Sequence, residues 1–195
     1  MSAIGSTLPG MQIHPLTADR MDDLAELFGG NGTTRGCWCT WFLRTRKDNQ
    51  AGWGEGNRDW FLTYAAAADP PVGVLGYRDE LPVGWCAVSP RARYAALGPR
   101  SIMRDRDRSE DDVVWLVTCF FVRVGARRAG SMSALLTAAV ELAARHGATA
   151  IEGFPMAGGG DTQSGYVGFE SVFAAAGFDR IGQPSPRRVI MRREL

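Results

Sequence analysis

Residues 113–132 read VVWLVTCFFVRVGARRAGSM, and this stretch decides the fold. Its first half, residues 113–122, is almost wholly apolar and rich in β-branched and aromatic side chains, which is typical of a strand buried on both faces at the centre of a sheet. Its second half leads into an apolar stripe at helical spacing, which predicts a helix of about four turns carrying Met132, Leu135, Leu136, Ala139 and Leu142. Because residues 148–154 form another apolar run after the stop at His146 and Gly147, we expect a parallel strand–helix–strand crossover.

The elements on either side of this crossover complete one mixed α/β domain over residues 1–195. Before it, alternation and helical spacing predict a strand at 11–16, a helix at 17–28, a second helix at 57–68, and a hairpin of 72–77 with 81–89. After it, they predict a Gly-rich loop at 157–165, a short helix at 172–176, and strands at 178–181 and 188–191. Residues 30–56 show neither period, and the mixed charges of 100–112 are typical of a solvated loop.

The composition limits the classes of partner. The chain has 195 residues with 22 Lys and Arg against 21 Asp and Glu, a net charge of +1 at pH 7. This balance provides no field that would draw in nucleic acid or a membrane surface, so we expect neither partner. No apolar run approaches the ~18 residues of a membrane span, and no secretory hydrophobic segment follows Met1. With four cysteines in or beside apolar runs, the sequence predicts a soluble, cytoplasmic protein.

The turn from Val122 to Met132 has the composition of a phosphate site. It joins a buried strand to a helix N-terminus, where unpaired backbone N–H groups and the helix dipole favour an anion, and Arg127 and Arg128 add positive charge. No Gly-Lys-Ser/Thr follows and Gly-x-Gly-x-x-Gly is absent, so the turn is neither a Walker A loop nor a dinucleotide fingerprint. We therefore predict a site for a pyrophosphate.

This turn resembles motif A of the GNAT superfamily of acyl-CoA-dependent N-acyltransferases, whose pattern is Gln/Arg-x-x-Gly-x-Gly/Ala. The pattern falls on Arg127, Gly130 and Met132, and Met132 departs from the small residue expected at the last position. Arg128 and Val124 likewise stand where the family usually has Gly and Pro. The order of elements over nearly the whole chain is also similar to that of the superfamily.

The resemblance implies a splayed, mostly antiparallel sheet flanked by helices, with the pantetheine arm of acetyl-CoA between the strands of 113–122 and 148–154. Acetyl-CoA is then the acyl-donor cosubstrate. The implied reaction is N-acetyl transfer to a primary amine of a small molecule or peptide, by direct attack in a ternary complex. The residues expected to bind the donor are Phe120, Phe121, Val122, Arg127, Arg128, Ala129, Gly130, Ser131, Met132, Ser133 and Phe173.

Two side chains are candidates for catalysis. Family members often use a tyrosine four residues before the Gly-Phe pair as general acid; here Phe173 holds that position and Tyr166 is the substitute. Acid assistance should matter little, because an alkyl thiol has a pKa of ~8.5. Glu152 lies on a central strand, where a buried carboxylate needs a task or a partner. It is therefore the base that takes the proton of the amine, a member of an ion pair, or a residue at the end of its strand.

The acceptor is expected near a cluster of tryptophans in residues 38–60, the region that covers the acceptor in GNAT-like proteins. We expect most of them in the core, with Trp38 and Trp41 as the candidates to line the acceptor cleft. Cys119 is either a small buried hydrophobe or a thiol that relays the acyl group. The Cys37-x-Cys39 pair lacks the further ligands of a zinc site, so no metal is expected.

Alternatives of other classes remain. A non-catalytic acyl-CoA-binding module is compatible with Phe173 in the acid position and Met132 in the phosphate motif. Nucleic-acid binding through the arginines of 187–193 is disfavoured by the neutral charge of the chain. The sequence is compatible with a homodimer and leaves the oligomeric state open.

Overall fold

The computed structural model describes residues 10–29, 36–94, 106–127, 130–158 and 162–195. Within these residues seven strands form one sheet: β1 (Gln12–Pro15), β2 (Gly73–Arg78), β3 (Leu81–Pro90), β4 (Val114–Val122), β5 (Ala150–Gly153), β6 (Asp179–Ser185) and β7 (Arg188–Glu194). Their spatial order is β1-β2-β3-β4-β5-β7-β6. Every neighbouring pair is antiparallel except β4 and β5, which are parallel.

Helices cover both faces of the sheet. Those in the described residues are α1 (Met21–Gly29), α2 (Arg46–Ala51), α3 (Glu55–Ala67), α4 (Ser131–Arg145) and α5 (Glu170–Ala175). The apolar stripe of α4 packs on one face, where Leu135 and Leu136 join Trp115 and Val117 of β4 in the largest core cluster. On the other face α1 and α3 pack against the inner strands, with Phe28 and Phe61 edge-on to Trp85.

The predicted crossover is confirmed, because β4, α4 and β5 follow one another and the two strands pair in parallel. The terminal strands β6 and β7 are longer than the sequence indicated, since they pair with each other and β7 also pairs with β5. The six residues of α2 were missed. Their sequence, RKDNQA, is polar throughout, and the helix is capped by the hydroxyl of Thr45, which accepts from the backbone N–H of Asp48.

No helix among the residues described combines the length and the apolar character needed to cross a membrane. The loop predicted at 100–112 lies partly outside the described residues. Its described part is not simply solvated, because Glu110 and Asp111 bind a buried arginine.

We predict that Gly153→Ala destabilises the fold by about 2 kcal/mol, because overpacked cores strain their neighbours. A Cβ at Gly153 would lie 2.4 Å from Cε1 of the Phe173 ring. The matched control is Gly182→Ala on β6, where the nearest atom, Cδ1 of Ile190, is 3.6 Å away. Urea unfolding of both variants checks this, and equal midpoints for the two would contradict it.

Candidate functional site

The pairing between β4 and β5 ends halfway along β4. Their pairing runs from Val114 opposite Ala150 to Val117 opposite Gly153, where β5 ends, whereas β4 continues to Val122. At this level β4 also carries a bulge, since Val117 pairs with Val88 and Cys119 with Ala87, so that Thr118 is the extra residue. A bulge bends and twists its strand. The pairing of β4 with β5 therefore ends at the level where the family resemblance implies that the two strands part, and a gap between them stays a prediction.

The half of β4 beyond Val117 has backbone polar groups that point toward the side on which β5 has ended. The N–H of Arg123 donates to the carbonyl of Val83 on β3 at 2.9 Å. Because bonded and non-bonded pairs alternate in an antiparallel ladder, the N–H and C=O groups of Phe120 and Val122 point away from β3. The Val122 carbonyl accepts a bond from Nε of Arg127 at 2.9 Å. The remaining groups form an edge to which an amide-bearing ligand can pair.

The side chains of Phe120 and Phe121 do not project from this edge. Phe120 is buried and packs edge-on against Phe173, on the α4 side of the sheet. Phe121 packs edge-on against Phe28, on the opposite side. Both side chains therefore anchor β4 in the two cores, and of these two residues only Phe120 has backbone groups that point away from β3.

The N-terminus of α4 begins close to the end of β4 and is uncapped. Gly130 precedes the helix in a left-handed conformation (φ 76°) and provides no side-chain cap. The first backbone bond within the helix joins the N–H of Ala134 to the carbonyl of Gly130. The N–H groups of residues 131–133 consequently have no partner within the helix, and the helix dipole makes this end attractive to an anion.

The side chains around this helix start leave it accessible. The hydroxyl of Ser131 is buried and donates to the carbonyl of Ala126 at 2.8 Å, which ties the turn to the helix. Met132 is half-buried and packs against the main core. Arg127 is exposed beside it. Arg128 and Ala129, which the sequence also assigned to this site, lie outside the described residues.

Glu152 is buried among arginines. It is 4% exposed, and its Oε2 accepts from Nη1 of Arg91 at 2.9 Å while its Oε1 accepts from Nη1 of Arg192 at 3.1 Å. Arg91 follows β3, and Arg192 pairs with Glu152 across β5 and β7. Both carboxylate oxygens are therefore engaged by guanidinium groups. The structure thus favours the ion-pair alternative for Glu152.

Two further carboxylates extend this network. Glu110 binds Arg192 at 2.9 Å, and this hydrogen bond is the main reason that the pKa of Glu110 lies below its usual value. Burial alone would raise the pKa of Asp111, but hydrogen bonds from Arg106 and Arg91 outweigh burial and the net shift is downward. Groups whose folded pKa is lowered add stability at neutral pH that is lost as acid protonates them. The network therefore ties the loop before β4 to the ends of β3 and β7.

Phe173 lies in the main core, next to Gly153 at the end of β5. Its ring is fully buried, packs against Phe120 and Phe178, and lies within contact distance of the positions a Cβ would take at Gly153 and Gly168. A ring enclosed in this way has no surface for a ligand. We therefore assign Phe173 to the core and no longer to the cofactor site.

Tyr166, the substitute for the missing tyrosine, is accessible. It lies in the helical turn Thr162–Val167, which packs beside β4, and its ring is 43% exposed. The guanidinium of Arg188 lies 5.8 Å from the ring centroid. Tyr166 is thus on the rim of the region where β4 leaves β5 and can reach a ligand there.

The two tryptophans assigned to the acceptor behave differently. Trp38 is only 8% exposed; it packs edge-on against Phe28, and the guanidinium of Arg58 covers it at 5.9 Å. This burial removes Trp38 from the candidates for stacking on an acceptor. Trp41 is half-buried beside a third cluster that contains Phe42 and Phe154, and it remains a candidate.

A buried polar network that the sequence analysis missed supports the 36–44 segment. Asn49 donates to the hydroxyl of Thr40 at 2.7 Å, and Asn57 donates to the carbonyls of Gly36 and Asn49 at 3.0 Å each. Thr40, Asn49 and Asn57 are all fully buried. Buried amides and hydroxyls bonded in this way hold one conformation, because each broken bond would leave an unpaired polar group.

Hydroxyl groups also meet at the bulge. Thr118 donates to the phenol oxygen of Tyr94 at 3.5 Å, and both side chains are buried. Burial raises the pKa of Tyr94, and contacts with Thr118 and Ser89 oppose this only in part. Tyr94 is therefore a neutral phenol at physiological pH. No sequence signal indicated this residue, because it follows β3 and reaches the bulge only through the fold.

A cavity of about 730 Å³ lies on the outer side of α3. Its walls are Asp59, Trp60, Thr63, Tyr64, Ala67, Ala68, Asp69 and Arg93. None of these residues belongs to β4, β5 or α4, so this cavity is separate from the diverging strands. Trp60 has little free aromatic surface there, since Tyr64 stacks on it at 4.9 Å and Arg44 lies 5.2 Å from its ring.

In the residues from 10 to 195 that the structure describes, no group of three or more His, Cys, Asp or Glu side chains is arranged to hold a metal ion.

Comparison with known proteins identifies the fold. The sequence matches no protein-family model, and no curated protein matches it. Among solved structures it is similar to the ribosomal-protein-S5-alanine acetyltransferase of Vibrio fischeri, with a TM-score of 0.60 at 10% identity over 100% of this chain and 97% of that one. It is also similar to the GNAT domain of S. lividans PAT, with a TM-score of 0.56 at 14% identity over 95% of this chain and 90% of that one.

A third similar structure was solved with a ligand. The PaiA N-acetyltransferase of Thermoplasma acidophilum, in complex with coenzyme A, has a TM-score of 0.55 at 10% identity over 95% of this chain and 99% of that one. Likenesses at these identities establish the fold. The chain has the GNAT fold, and the resemblance identified from its sequence is confirmed at that level.

We predict that Glu152→Gln lowers the free energy of unfolding by about 3 kcal/mol, because it removes the charge that the buried Arg91 and the partly buried Arg192 share. The control is Glu194→Gln, which also loses a bond to Arg192 but at an exposed position where solvent screens the pair; its effect should be much smaller. Chemical denaturation of both variants checks this. An unchanged stability for Glu152→Gln, together with lost turnover, would instead identify Glu152 as a base.

Proposed function

We propose that this protein transfers an acetyl group from acetyl-CoA to a primary amine of a small molecule or peptide, by direct attack in a ternary complex. The observation that carries the proposal is that β4 extends beyond the end of its pairing with β5 and is followed by an uncapped helix N-terminus. Together these features offer an unpaired strand edge for the amides of the pantetheine arm and the positive end of the α4 dipole for the phosphates. The fold shared with acetyltransferases supports the same reaction.

Acetyl-CoA would lie along β4, with its thioester at the bulge. Its pyrophosphate would accept bonds from the N–H groups of Ser131, Met132 and Ser133, with the exposed Arg127 adding charge. From there the pantetheine amides would pair with the edge groups of Phe120 and Val122. β4 and β5 are paired as far as Val117 and Gly153, so the thioester would stop near Thr118.

The reaction would rely mainly on positioning. The amine must be neutral to attack the thioester carbonyl, and the developing oxyanion needs a donor. The proposed donor is the backbone N–H of Phe120, the residue nearest the bulge whose N–H points away from β3. With Glu152 held in ion pairs, a water wire takes the proton of the amine. Proximity alone can supply a large part of such a rate enhancement.

A non-catalytic acyl-CoA-binding module is the second candidate, and the burial of Phe173 at the position of the usual acid favours it. Incubation with saturating acetyl-CoA and a panel of primary amines, while free thiol is measured, separates the two. Acceptor-dependent thiol release supports the enzyme. Tight binding of acetyl-CoA without such release supports the binding module.

We predict that Gly130→Asp weakens acetyl-CoA binding roughly tenfold or more, because a carboxylate at the helix start repels the pyrophosphate. The control is Gly130→Asn, which has the same shape without the charge and should bind distinctly better than the Asp variant. Asn and Asp both tolerate the left-handed conformation of this position (φ 76°) and both cap helices well, so neither should unfold the protein. Calorimetric titration gives the affinities, and equal values for the two variants would contradict the phosphate site.

We predict that Tyr166→Phe lowers kcat by less than about tenfold without changing KM for acetyl-CoA, because the thiolate is already a tolerable leaving group. Tyr64→Phe, a half-buried tyrosine on the separate cavity, is the control. Steady-state kinetics with one accepted amine checks both variants. A kcat equal to the wild type would exclude Tyr166 from catalysis.

A further inference from the structure

The edge of β4 that would receive the pantetheine arm is already in contact with a side chain of the protein itself. Nε of Arg127 donates to the carbonyl of Val122 at 2.9 Å. Val122 is the last residue of β4, and the ladder with β3 turns its carbonyl to the same side as that of Phe120. The guanidinium of Arg127 is therefore bonded to the last residue of this edge, from the side on which a ligand would pair.

The backbone of Arg127 is held in place by its neighbours. The N–H of Ala126 donates to the carbonyl of Arg123 at 2.9 Å, which closes the turn after β4. The hydroxyl of Ser131 donates to the carbonyl of Ala126 at 2.8 Å. Because Ala126 directly precedes Arg127, this bond keeps the base of the Arg127 side chain next to the first residue of α4.

The side chain of Arg127, in contrast, is exposed and can change partners. In the part of the chain that the structure describes, no carboxylate forms an ion pair with it. Arg123, at the start of the same turn, differs, because its Nη2 lies 3.2 Å from Oε1 of Glu26 on α1. A guanidinium forms stronger bonds with a phosphate than with a neutral carbonyl, since both partners are charged and two N–H groups can bind at once. Arg127 therefore gains more from an anionic ligand than from Val122.

We propose that Arg127 determines the specificity for the donor. It pairs with the Val122 carbonyl in the free protein and exchanges this partner for the pyrophosphate of the donor, so the β4 edge opens fully only to a thioester that carries phosphates. This inference rests on the proposed function, because it concerns the same donor site. Arg127 acts on the thioester through the edge of β4 and is therefore a positioning residue.

The exchange couples two parts of the donor. A pantetheine thioester without phosphates must break the bond between Arg127 and Val122 and offers the guanidinium only solvent in return. The pyrophosphate of acetyl-CoA instead supplies a new partner for the guanidinium, next to the N-terminus of α4. Because a ligand shifts a protein toward the state that it binds better, pyrophosphate and the pantetheine arm should each raise the affinity for the other.

The test is an NMR titration of the intact, isotope-labelled protein with acetyl-CoA and, separately, with S-acetylpantetheine, which has the same thioester arm without the phosphates and the nucleotide. The amide signals of Phe120 and Val122 report binding at the edge. Arg127→Met removes the guanidinium and keeps an unbranched apolar side chain. We expect this variant to bind acetyl-CoA roughly tenfold more weakly than the wild type and S-acetylpantetheine about threefold more tightly.

The matched control is Arg123→Met. It removes a guanidinium from the same turn, but one that pairs with Glu26 and not with Val122. This variant should weaken acetyl-CoA binding by less than Arg127→Met does, and it should leave the affinity for S-acetylpantetheine unchanged. Opposite changes for the two thioesters are therefore specific to the bond between Arg127 and Val122.

Inorganic pyrophosphate tests the coupling directly. Added to the wild type, it should shift the Nε–H signal of Arg127 and tighten the binding of S-acetylpantetheine about threefold. In Arg127→Met it should leave the affinity for S-acetylpantetheine unchanged, because the guanidinium that links the two ligands is absent.

Other results would overturn the exchange of partners. If Arg127→Met weakens the binding of both thioesters, Arg127 holds the donor without obstructing the edge. If the affinity for S-acetylpantetheine does not change, the Val122 carbonyl accepts both bonds at once. Either result leaves the proposed function standing, since acetyl-CoA still binds the wild type. A wild type that binds neither thioester overturns the proposed function, and the exchange with it.

Discussion

The site depends on one constraint: β4 must extend beyond the end of its pairing with β5. Four residue pairs hold the two strands together, up to Val117 and Gly153, and β4 carries a bulge at Thr118 directly after them. The ion pairs of Glu152 lie at the last part of this pairing and bind the end of β3 to β7. Because these charges are buried, the network would be costly to break. The fold thus places the buried ion pairs of Glu152 next to the point at which the pairing of β4 with β5 ends.

The central crossover was predictable because its signals are local. The apolar run of β4 and the stripe of α4 each show their period within one segment, and a Gly stop lies between α4 and β5. The partners of Glu152 were not predictable, since Arg91 and Arg192 lie 61 and 40 residues away and only the register of the sheet brings them together. Tyr94 reaches Thr118 for the same reason. Pairings over such separations leave no periodic trace in a sequence.

Aromatic residues show a second limit of prediction from the sequence. Trp38 and Trp41 occupy the same segment and look alike in sequence, yet Trp38 is packed under Phe28 and Arg58 whereas Trp41 is half-buried. The difference arises from a loop whose left-handed residues and buried amides have no hydrophobic period. Phe173 was misassigned for a related reason: its position matched that of a family tyrosine, but the absence of a side chain at Gly153 and Gly168 lets its ring fill the core. Motif position predicts where a residue lies in the fold more reliably than what its side chain contacts.

The proposed chemistry follows from what surrounds the bulge. Glu152 is held in ion pairs with two guanidinium groups, and Tyr94 is a phenol with a raised pKa. The barrier to acetyl transfer would therefore have to be lowered by holding the thioester against backbone donors and the amine in line with it. Water would then carry the proton, and amines that are already neutral at physiological pH would gain most from such a site.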